Sequence, residues 1–351
     1  MIRAFEGQDA DEVWEQVVEA FRAGHGVLLQ PSRGGATKEI LHAAITINDP
    51  RQRWVVSRQP PMNVAFAIAE IVWIMTGRND LAFLRAWNSK LSDYVGEGPH
   101  LHGAYGHRLR YHMGVDQLTR AYQVLSSNPD TRQVVLQIWD SSVDLPDPEG
   151  LPTSRDVPCN VFALLKVREG KLEWLQVLRS NDLFLGVPHN FVQFTSLQEV
   201  VAGWLGVDCG PYHQLSDSLH MYEHDEENVF ASQTPPNRLR NTDSLALPKE
   251  KSEAAFKELG RRMERLIAPG LRRPQLERVV RWDEGPEAFR NMLAVLASEI
   301  ARRLGWDEMH DHAMATCTNP VYRKLWHRWL RRVSISSQNE RQQYRSVGRA
   351  R

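Results

Sequence analysis

The sequence lacks a net charge, because its 351 residues include 43 lysines and arginines and 43 aspartates and glutamates. Without an excess of positive charge there is no basis for a general attraction to nucleic acid, so we expect no nucleic-acid partner. The composition, 42% hydrophobic and 25% charged, is that of a globular protein. We therefore expect its partner to be a small molecule bound in a local, shaped site.

The sequence also lacks long apolar runs and paired cysteines. No apolar run reaches the roughly 18 residues that a membrane span needs, and segment 1–23 is charged throughout, unlike a signal peptide. The three cysteines, Cys159, Cys209 and Cys317, are widely spaced and odd in number, which argues against a disulfide framework and a zinc cage. These absences predict a cytoplasmic protein without a membrane contact.

Hydrophobic periodicity predicts a chain of mixed α-helices and β-strands. A helix over 9–23 is expected to end at Gly24, a short buried strand follows over 27–30, and 62–76 reads as a buried helix. An Arg168–Lys171 turn predicts a hairpin. Further strands are predicted over 133–139, 159–167 and 171–179, and further helices over 190–207, 252–267 and 286–304.

Cys159 is the candidate nucleophile. It follows a proline and opens an apolar strand, whereas the next strand ends in Arg179 and Ser180. If the two strands pair, their ends lie close together, and a guanidinium near the thiol favours the nucleophilic thiolate. A thiolate beside an Arg-Ser pair suits a phosphorylated, electrophilic substrate. The alternative is an ordinary buried structural cysteine.

Glu70 is conspicuous because it interrupts an apolar helix, where a lone carboxylate is costly unless it is paired or useful. It is either a functional acid or the partner of a buried arginine. His220 and His224 are four residues apart and could ligate a metal, but no Cys-rich or carboxylate-rich set accompanies them. We therefore expect no metal site.

Several motifs in register carry a resemblance to the thymidylate synthase family. The stretches PCN, LRSNDLFLGVPHN and HMY resemble its Pro-Cys strand, its Arg-Ser-x-Asp-x-x-Leu-Gly-x-Pro-x-Asn segment and its His-x-Tyr. Arg33 lies where the family has an Arg-Thr-Gly loop, Glu70 lies in a helix like the family's Glu-Leu-Leu-Trp helix, and 128–132 matches an Asn-Pro-Asp-Thr-Arg segment. The resemblance covers about 30–225.

The resemblance implies an α/β (α+β) fold of three layers, with a large, mostly antiparallel sheet and helices on one face. It also implies a homodimer with shared active sites and 5,10-methylenetetrahydrofolate as the one-carbon donor. The expected reaction begins with addition of the Cys159 thiolate to C6 of a pyrimidine nucleotide, after which C5 accepts the carbon.

The resemblance assigns further roles residue by residue. Glu70 and Tyr105 would manage protons beside the nucleophile, and Arg132 would reach the phosphate from the partner subunit. The other nucleotide-binding residues would be Arg33, Arg179, Ser180, Asn190, His220 and Tyr222, and the folate-binding residues would be Trp87, Asp182 and Gly186. Asn190 would read the base, since an amide can donate and accept at the O4/N3–H edge of uracil.

Departures from the family pattern leave the reaction outcome open. Asn160, Leu178, Gln133 and Ser218 stand where the family usually has His, Gln, Arg and Asp. No short apolar closing tail is present. Since water exclusion decides between reduction and hydration of the transferred carbon, the product is a 5-methyl or a 5-hydroxymethyl nucleotide. A non-catalytic nucleotide- or nucleic-acid-binding paralogue is the third alternative.

The chain divides, on this basis, into three parts. Residues 1–240 form the catalytic domain, 241–334 a helical C-terminal extension, and 335–351 a basic tail expected to be disordered. An element within 300–334 is a candidate replacement for the missing closing tail.

Overall fold

A computed structural model of the chain describes residues 2–32, 34–231 and 239–347. Its strands are β1 (Arg3–Gly7), β2 (Leu28–Ser32), β3 (Gly35–Ile47), β4 (Val134–Gln137), β5 (Asn160–Arg168), β6 (Lys171–Asp182) and β7 (Asp208–Tyr222). They form one sheet in the order β1-β3-β7-β6-β5-β4, with β2 also paired to β3. The β1–β3 and β6–β7 pairs are parallel and the other pairs are antiparallel, so the predicted mostly antiparallel sheet is confirmed.

The described chain also contains α-helices, which are joined to the strands by loops. They are α1 (Ala10–Ala23), α2 (Val64–Met75), α3 (Leu81–Arg85), α4 (Leu91–Val95), α5 (Tyr105–His107), α6 (Gln117–Ser127), α7 (Ser141–Asp144), α8 (Gly186–Leu205), α9 (Glu226–Phe230), α10 (Lys249–Leu266), α11 (Arg273–Val280), α12 (Glu287–Arg303), α13 (Asp307–Ala315) and α14 (Pro320–Val347). None of the described helices has the length and hydrophobicity of a membrane span.

The first helix shows why the sequence signals work. The Asp9 side chain accepts a hydrogen bond from the Glu12 N–H, and Gly24 ends the helix in the left-handed conformation at φ 71°. The β5–β6 hairpin likewise turns at Glu169 and Gly170, which both have positive φ. The α1 helix and the hairpin are therefore confirmed.

The predicted buried strand over 27–30 is a strand, but the prediction that it is buried is wrong. β2 lies at the sheet edge and pairs only with the first part of β3, and Leu29 is 70% exposed. The apolar residues predict a strand, but whether the strand is buried depends on whether another layer of the fold covers it.

An irregularity crosses neighbouring strands near the site. The pairing of β3 with β7 is interrupted at His42 and Asp217. Their side chains are 2.8 Å apart, and His42 has a positive φ of 54°. On β7 the buried positions consequently change from Tyr212, Gln214 and Ser216 to Leu219 and Met221. Such an irregularity reverses which side chains face the helices, and it re-aims the residues that follow it on the strand.

The long helices lie on one face of the sheet, as expected, with α1 on β1 and β3 and α8 on β6 and β7. The apolar helix α2 packs between α8 and α12, and one continuous buried cluster joins the sheet to the C-terminal helices. Almost every residue of α12 from Ala288 to Ala301 is buried. The C-terminal helices thus share the core of the sheet domain.

The last helix is longer than the sequence suggests. α14 runs to Val347, so a helix occupies most of the segment 335–351 for which a basic, disordered tail was expected. Its first half contacts α2 and α12 and thereby lies over the same part of the molecule as Glu70.

Candidate functional site

A cavity of about 830 Å³ lies between the ends of β5 and β6, the helices α2 and α8, and the C-terminal helices α12 and α14. It gathers residues that are more than 100 positions apart in the sequence. The sequence-predicted residues on its wall are Glu70, Trp87, Tyr105, Cys159, Ser180, Asp182, Gly186 and Asn190.

The ends of β5 and β6 meet as the hairpin predicted. Asn160 pairs with Leu178, and the Arg179 N–H donates to the Cys159 carbonyl over 2.9 Å. The Arg179 guanidinium donates to the carbonyls of Pro158 (2.9 Å) and Val157 (3.2 Å). A fixed positive charge therefore lies beside the backbone that carries the half-buried Cys159.

The other two cysteines have a different environment. Burial raises the pKa of Cys209 and of Cys317 to about 12, so both stay protonated thiols at neutral pH. Neither lines the cavity, whereas Cys159 does. Among the three cysteines, Cys159 is the one placed to act as a nucleophile.

Glu70 resolves the problem of a carboxylate in an apolar helix by pairing with a histidine. Its Oε2 lies 2.5 Å from Nδ1 of His189, at the start of α8. The ring of Phe66 lies 5.4 Å from the His189 ring. A buried arginine, the alternative partner considered from the sequence, does not fill this place among the described residues.

Tyr105 occupies the wall next to the nucleophile. Burial raises the pKa of its phenol, and the negative charge of a Cys159 thiolate raises it further, whereas the Asn160 side chain lowers it by hydrogen bonding. The phenol therefore remains protonated and can act as a hydrogen-bond donor at neutral pH.

A chain of buried amides holds Asn190. The Asn190 Nδ2 donates to Asn181 Oδ1 over 2.9 Å, and Asn160 Nδ2 approaches Asn190 Oδ1 at 3.5 Å. The chain continues through Gln176, which donates to Asn160 Oδ1, and through Ser216, which accepts from Asn181. Because each amide satisfies its neighbour, the Asn190 side chain is held in one orientation before any ligand binds.

Asp182 and Gly186 shape the turn between β6 and α8. Burial raises the pKa of Asp182, and the charge of His220 partly opposes this effect, as do hydrogen bonds from the N–H groups of Phe184 and Leu185. A Cβ at Gly186 would lie 3.0 Å from Asn181 Oδ1. A side chain there would press on the amide chain, so the glycine serves a close approach.

Four predicted residues lie outside the cavity wall, and one lies outside the described residues. Arg132 is exposed ahead of β4, and Arg179 is exposed on β6. His220 and Tyr222 lie on β7, where the Tyr222 ring closely contacts Gly34. Arg33, which precedes that glycine, is the residue that is not described.

The C-terminal helices supply a wall that the motifs did not predict. Arg302 and Arg303 of α12 and Trp329 and Arg332 of α14 line the cavity. They are joined by Glu299, whose carboxylate accepts from Arg302 and Arg303 and from the Trp329 indole. Residues within 300–334 thus line the same cavity as Cys159.

Backbone contacts fix this wall to the rest of the cavity. Arg303 donates to the carbonyls of Ala86 (2.5 Å) and Trp87 (2.6 Å), and Arg332 donates to that of Pro61 (3.0 Å). Arg328 donates to the Arg58 carbonyl over 3.0 Å. The C-terminal wall is therefore attached on two sides of the cavity.

Two buried polar atoms at the cavity have no hydrogen-bond partner within the described chain. They are the Trp87 indole Nε1, a donor, and Gln193 Oε1, an acceptor. Buried polar atoms are normally paired, so these two atoms are exceptions in the structure around the cavity. With Trp73 and Trp329 on the same wall, the cavity suits a flat aromatic ligand that carries polar edges, as a reduced folate does.

The described residues contain no group of three His, Cys, Asp or Glu side chains that could hold a metal ion. His220 and His224, the pair considered from the sequence, each contact the Tyr222 ring, at centroid distances of 5.5 and 5.2 Å.

Sequence reasoning missed His189, Gln193 and the C-terminal wall. His189 and Gln193 carried a signal, because they are polar residues close to Asn190 in a helix that is buried along most of its length. Arg302 and Arg332 carried none, since nothing local distinguishes them from the other arginines of the C-terminal helices.

Comparison with known proteins agrees with these motifs. The family model for thymidylate synthase matches residues 27–259. The chain is 35% identical over 208 residues to a deoxyuridylate hydroxymethyltransferase of Bacillus phage SP01, covering 56% of this chain and 53% of that protein. It is 35% identical over 176 residues to a deoxyuridylate hydroxymethyltransferase of Pseudomonas phage M6, covering 50% and 49%.

An archaeal relative is matched over more of its length. A putative thymidylate synthase of Methanothermobacter marburgensis is 29% identical over 216 residues, covering 60% of this chain and 89% of that protein. The chain spans about half the length of the phage relatives. The family match extends well over half of the chain and includes the motifs that line the cavity, and the chain belongs to the thymidylate synthase family.

Proposed function

We propose that the protein transfers a one-carbon unit to C5 of a uracil nucleotide such as dUMP, with Cys159 as the nucleophile. The observation that carries this proposal is the grouping of Cys159, Glu70, Tyr105 and Asn190 on one cavity wall. Addition of the thiolate to C6 makes C5 nucleophilic, and C5 then accepts the carbon. Tyr105 assists removal of the C5 proton.

Binding of the nucleotide is assigned to the sheet side of the cavity. Asn190, held by the buried amides, reads the O4/N3–H edge of the base. His220 and Tyr222 contact the sugar. The phosphate is held by Arg33, Arg179 and Ser180, and by Arg132 of a second copy.

The one-carbon donor that fits the cavity is 5,10-methylenetetrahydrofolate, which supplies carbon at the oxidation level of formaldehyde. Trp87, Asp182 and Gly186 lie on the wall assigned to it. The carboxylates of its glutamate are met by cations at the C-terminal wall, Arg302 and Arg332, which line the same cavity.

The product that the comparisons favour is the 5-hydroxymethyl nucleotide. The phage relatives are named for that activity. In this chain the cavity is lined in part by C-terminal helices that are packed into the core. The 5-methyl product is the second candidate. It is favoured by the family match and by the archaeal relative named as a putative thymidylate synthase.

A homodimer is supported by the uncovered face of the sheet. The side chains opposite α8 include Phe162, Leu164, Leu175, Val177 and Leu215, which are half-buried without a covering layer in the described chain. Arg132 is exposed beyond β4 and outside its own cavity, a place from which it can serve a partner's site.

Product analysis tests this function. The protein is incubated with dUMP, dCMP, UMP or CMP and methylenetetrahydrofolate, and the product masses are read. We expect conversion of dUMP to a product heavier by CH₂O, or by CH₂ for the second candidate. Cys159→Ser should abolish either product and Cys209→Ser should not; no conversion of any nucleotide by the wild type would overturn the proposal.

A further inference from the structure

His189 and Glu70 form a pair that the family motif does not require. His189 occupies the variable position between Pro188 and Asn190 in the Gly-x-Pro-x-Asn segment. Its Nδ1 lies 2.5 Å from Glu70 Oε2, and the two side chains are 18% and 16% exposed. Both line the cavity together with Cys159. The pair is therefore shielded from bulk solvent but open to a bound ligand.

The contact defines the chemistry of the imidazole. An ionised carboxylate only accepts hydrogen bonds, so when Glu70 is ionised the contact requires the proton of a neutral His189 ring to be on Nδ1. The neutral ring then has its lone pair on Nε2. A carboxylate that fixes the tautomer in this way also stabilises the imidazolium formed when Nε2 takes up a proton, which is the arrangement of a general base.

We propose that the His189–Glu70 pair activates the water molecule that converts the transferred carbon into a hydroxymethyl group. This inference rests on the proposed function and specifies its product. Once tetrahydrofolate has left, the nucleotide carries an exocyclic methylene at C5 and is still bonded through C6 to Cys159. The methylene is electrophilic because it is conjugated with the C4 carbonyl.

The step balances without an oxidant or a reductant. Nε2 of His189 takes a proton from water as the water oxygen bonds to the methylene carbon, and the electron pair moves to the C4 oxygen. Return of that pair forms the C5–C6 double bond and breaks the C6–S bond, which releases the Cys159 thiolate. Tetrahydrofolate leaves unoxidised, whereas the methyl product would require a hydride from it.

The surroundings of the pair support a role after carbon transfer. The Phe66 ring packs against the His189 ring, and Glu70 projects from the apolar helix α2, so the pair has an apolar side next to its opening to the cavity. Other histidine–carboxylate pairs are built differently. The Asp140 carboxylate near His112 also holds Ser142 at a helix start, and neither His112 nor Asp140 lines the cavity.

The experiment separates the early from the late step. Protein in excess over dUMP labelled with tritium at C5 is mixed with methylenetetrahydrofolate in water enriched in oxygen-18. Tritium release reports proton removal from C5, and mass analysis reports the product and the source of its oxygen. The variants are His189→Phe and His189→Gln, with His112→Gln as the control. Formation of the covalent complex with 5-fluoro-dUMP and the folate shows that each variant is folded.

We expect the wild type to form 5-hydroxymethyl-dUMP that contains oxygen-18. Both His189 variants should release tritium within a few-fold of the wild-type rate. The amount of hydroxymethyl product formed per tritium released should fall at least about 100-fold, as for loss of a general base. The control should match the wild type. A parallel fall in tritium release and product would contradict the inference, because His189 would then act only by orienting Glu70.

An unchanged product yield in the variants, or a methyl product from the wild type, would also overturn it. These results differ from failure of the proposed function itself, which would appear as a wild-type protein that neither releases tritium nor forms the 5-fluoro-dUMP complex.

Discussion

The cavity has two walls of different origin. The sheet-side wall carries Cys159, Asn190 and Ser180, and its side chains are aimed by paired strands, a strand irregularity and a chain of buried amides. The C-terminal wall carries Arg302, Trp329 and Arg332 on two helices joined by Glu299. The first wall holds groups suited to covalent chemistry, whereas the second holds cations and an indole suited to binding.

This difference explains what the sequence could reveal. The nucleophile, the helix with Glu70 and the segment around Asn190 form short local motifs, since each strand or helix end must present particular atoms. The fold class was implied by the family resemblance that those motifs carry, whereas periodicity alone predicted mixed helices and strands. The meeting of the β5 and β6 ends followed from the predicted hairpin. The C-terminal wall depends on where long helices pack, and packing partners leave no local pattern.

The same distinction explains the errors. β2 has the residues of a buried strand, but its place at the sheet edge is a tertiary property. The Glu70 partner was a histidine rather than an arginine, because the turn into α8 brings His189, 119 positions away, onto α2. The contact between His189 and Glu70 is visible only in the three-dimensional structure.

The largest effect is expected from changing the nucleophile. Cys159→Ser should lower turnover by about 10⁴-fold or more, as for removal of a catalytic nucleophile, and should abolish the covalent complex. Cys209→Ser is the control, since burial keeps that thiol protonated. Turnover rates and mass spectra of both variants check this. An equal effect of the two changes would remove the distinction between Cys159 and the other cysteines.

The attachment of the C-terminal wall depends on Glu299. Burial disfavours its charge, but hydrogen bonds and charges from Arg302 and Arg303 lower its pKa overall. Glu299→Gln should reduce the free energy of unfolding by about 3 to 5 kcal/mol, because it leaves two partly buried guanidinium groups without their anion. Denaturant titration measures this. Glu253→Gln, in a more exposed pair with Lys249, should cost at most about 1 kcal/mol.

The segment that α14 contacts at Arg58 is held by Asp11, and we expect the stability of the fold to depend on pH through this residue. Asp11 accepts hydrogen bonds from Ser57 N–H and Oγ, just ahead of the Arg58 carbonyl that α14 contacts. Burial raises the pKa of Asp11 from 3.8 to about 6. The folded protein therefore binds this proton more tightly than the unfolded chain does.

The free energy of unfolding should consequently fall as the pH rises from about 4 to about 6, by at most about 3 kcal/mol from this group. Denaturant titrations across this window should show a flatter dependence in Asp11→Asn. The exposed Asp307→Asn serves as the control. A variant as pH-dependent as the wild type would show that Asp11 does not carry the effect.

The smallest effect concerns a single cation of the C-terminal wall. Arg332→Ala should raise the KM for methylenetetrahydrofolate about tenfold, a loss of about 1.4 kcal/mol, with little change in nucleotide affinity. The neighbouring exposed Arg331→Ala should leave both constants unchanged. Steady-state kinetics with each substrate varied in turn provide the test. A matching rise in the KM for the nucleotide would show that the C-terminal wall does not act on the folate alone.

The covalent complex tests the central claim most directly. Wild-type protein is mixed with 5-fluoro-dUMP and methylenetetrahydrofolate, digested and analysed by mass spectrometry. The account predicts a stable adduct of nucleotide and folate on the peptide that contains Cys159, and none in Cys159→Ser. A wild-type protein without this adduct, or with the adduct on another residue, would contradict it.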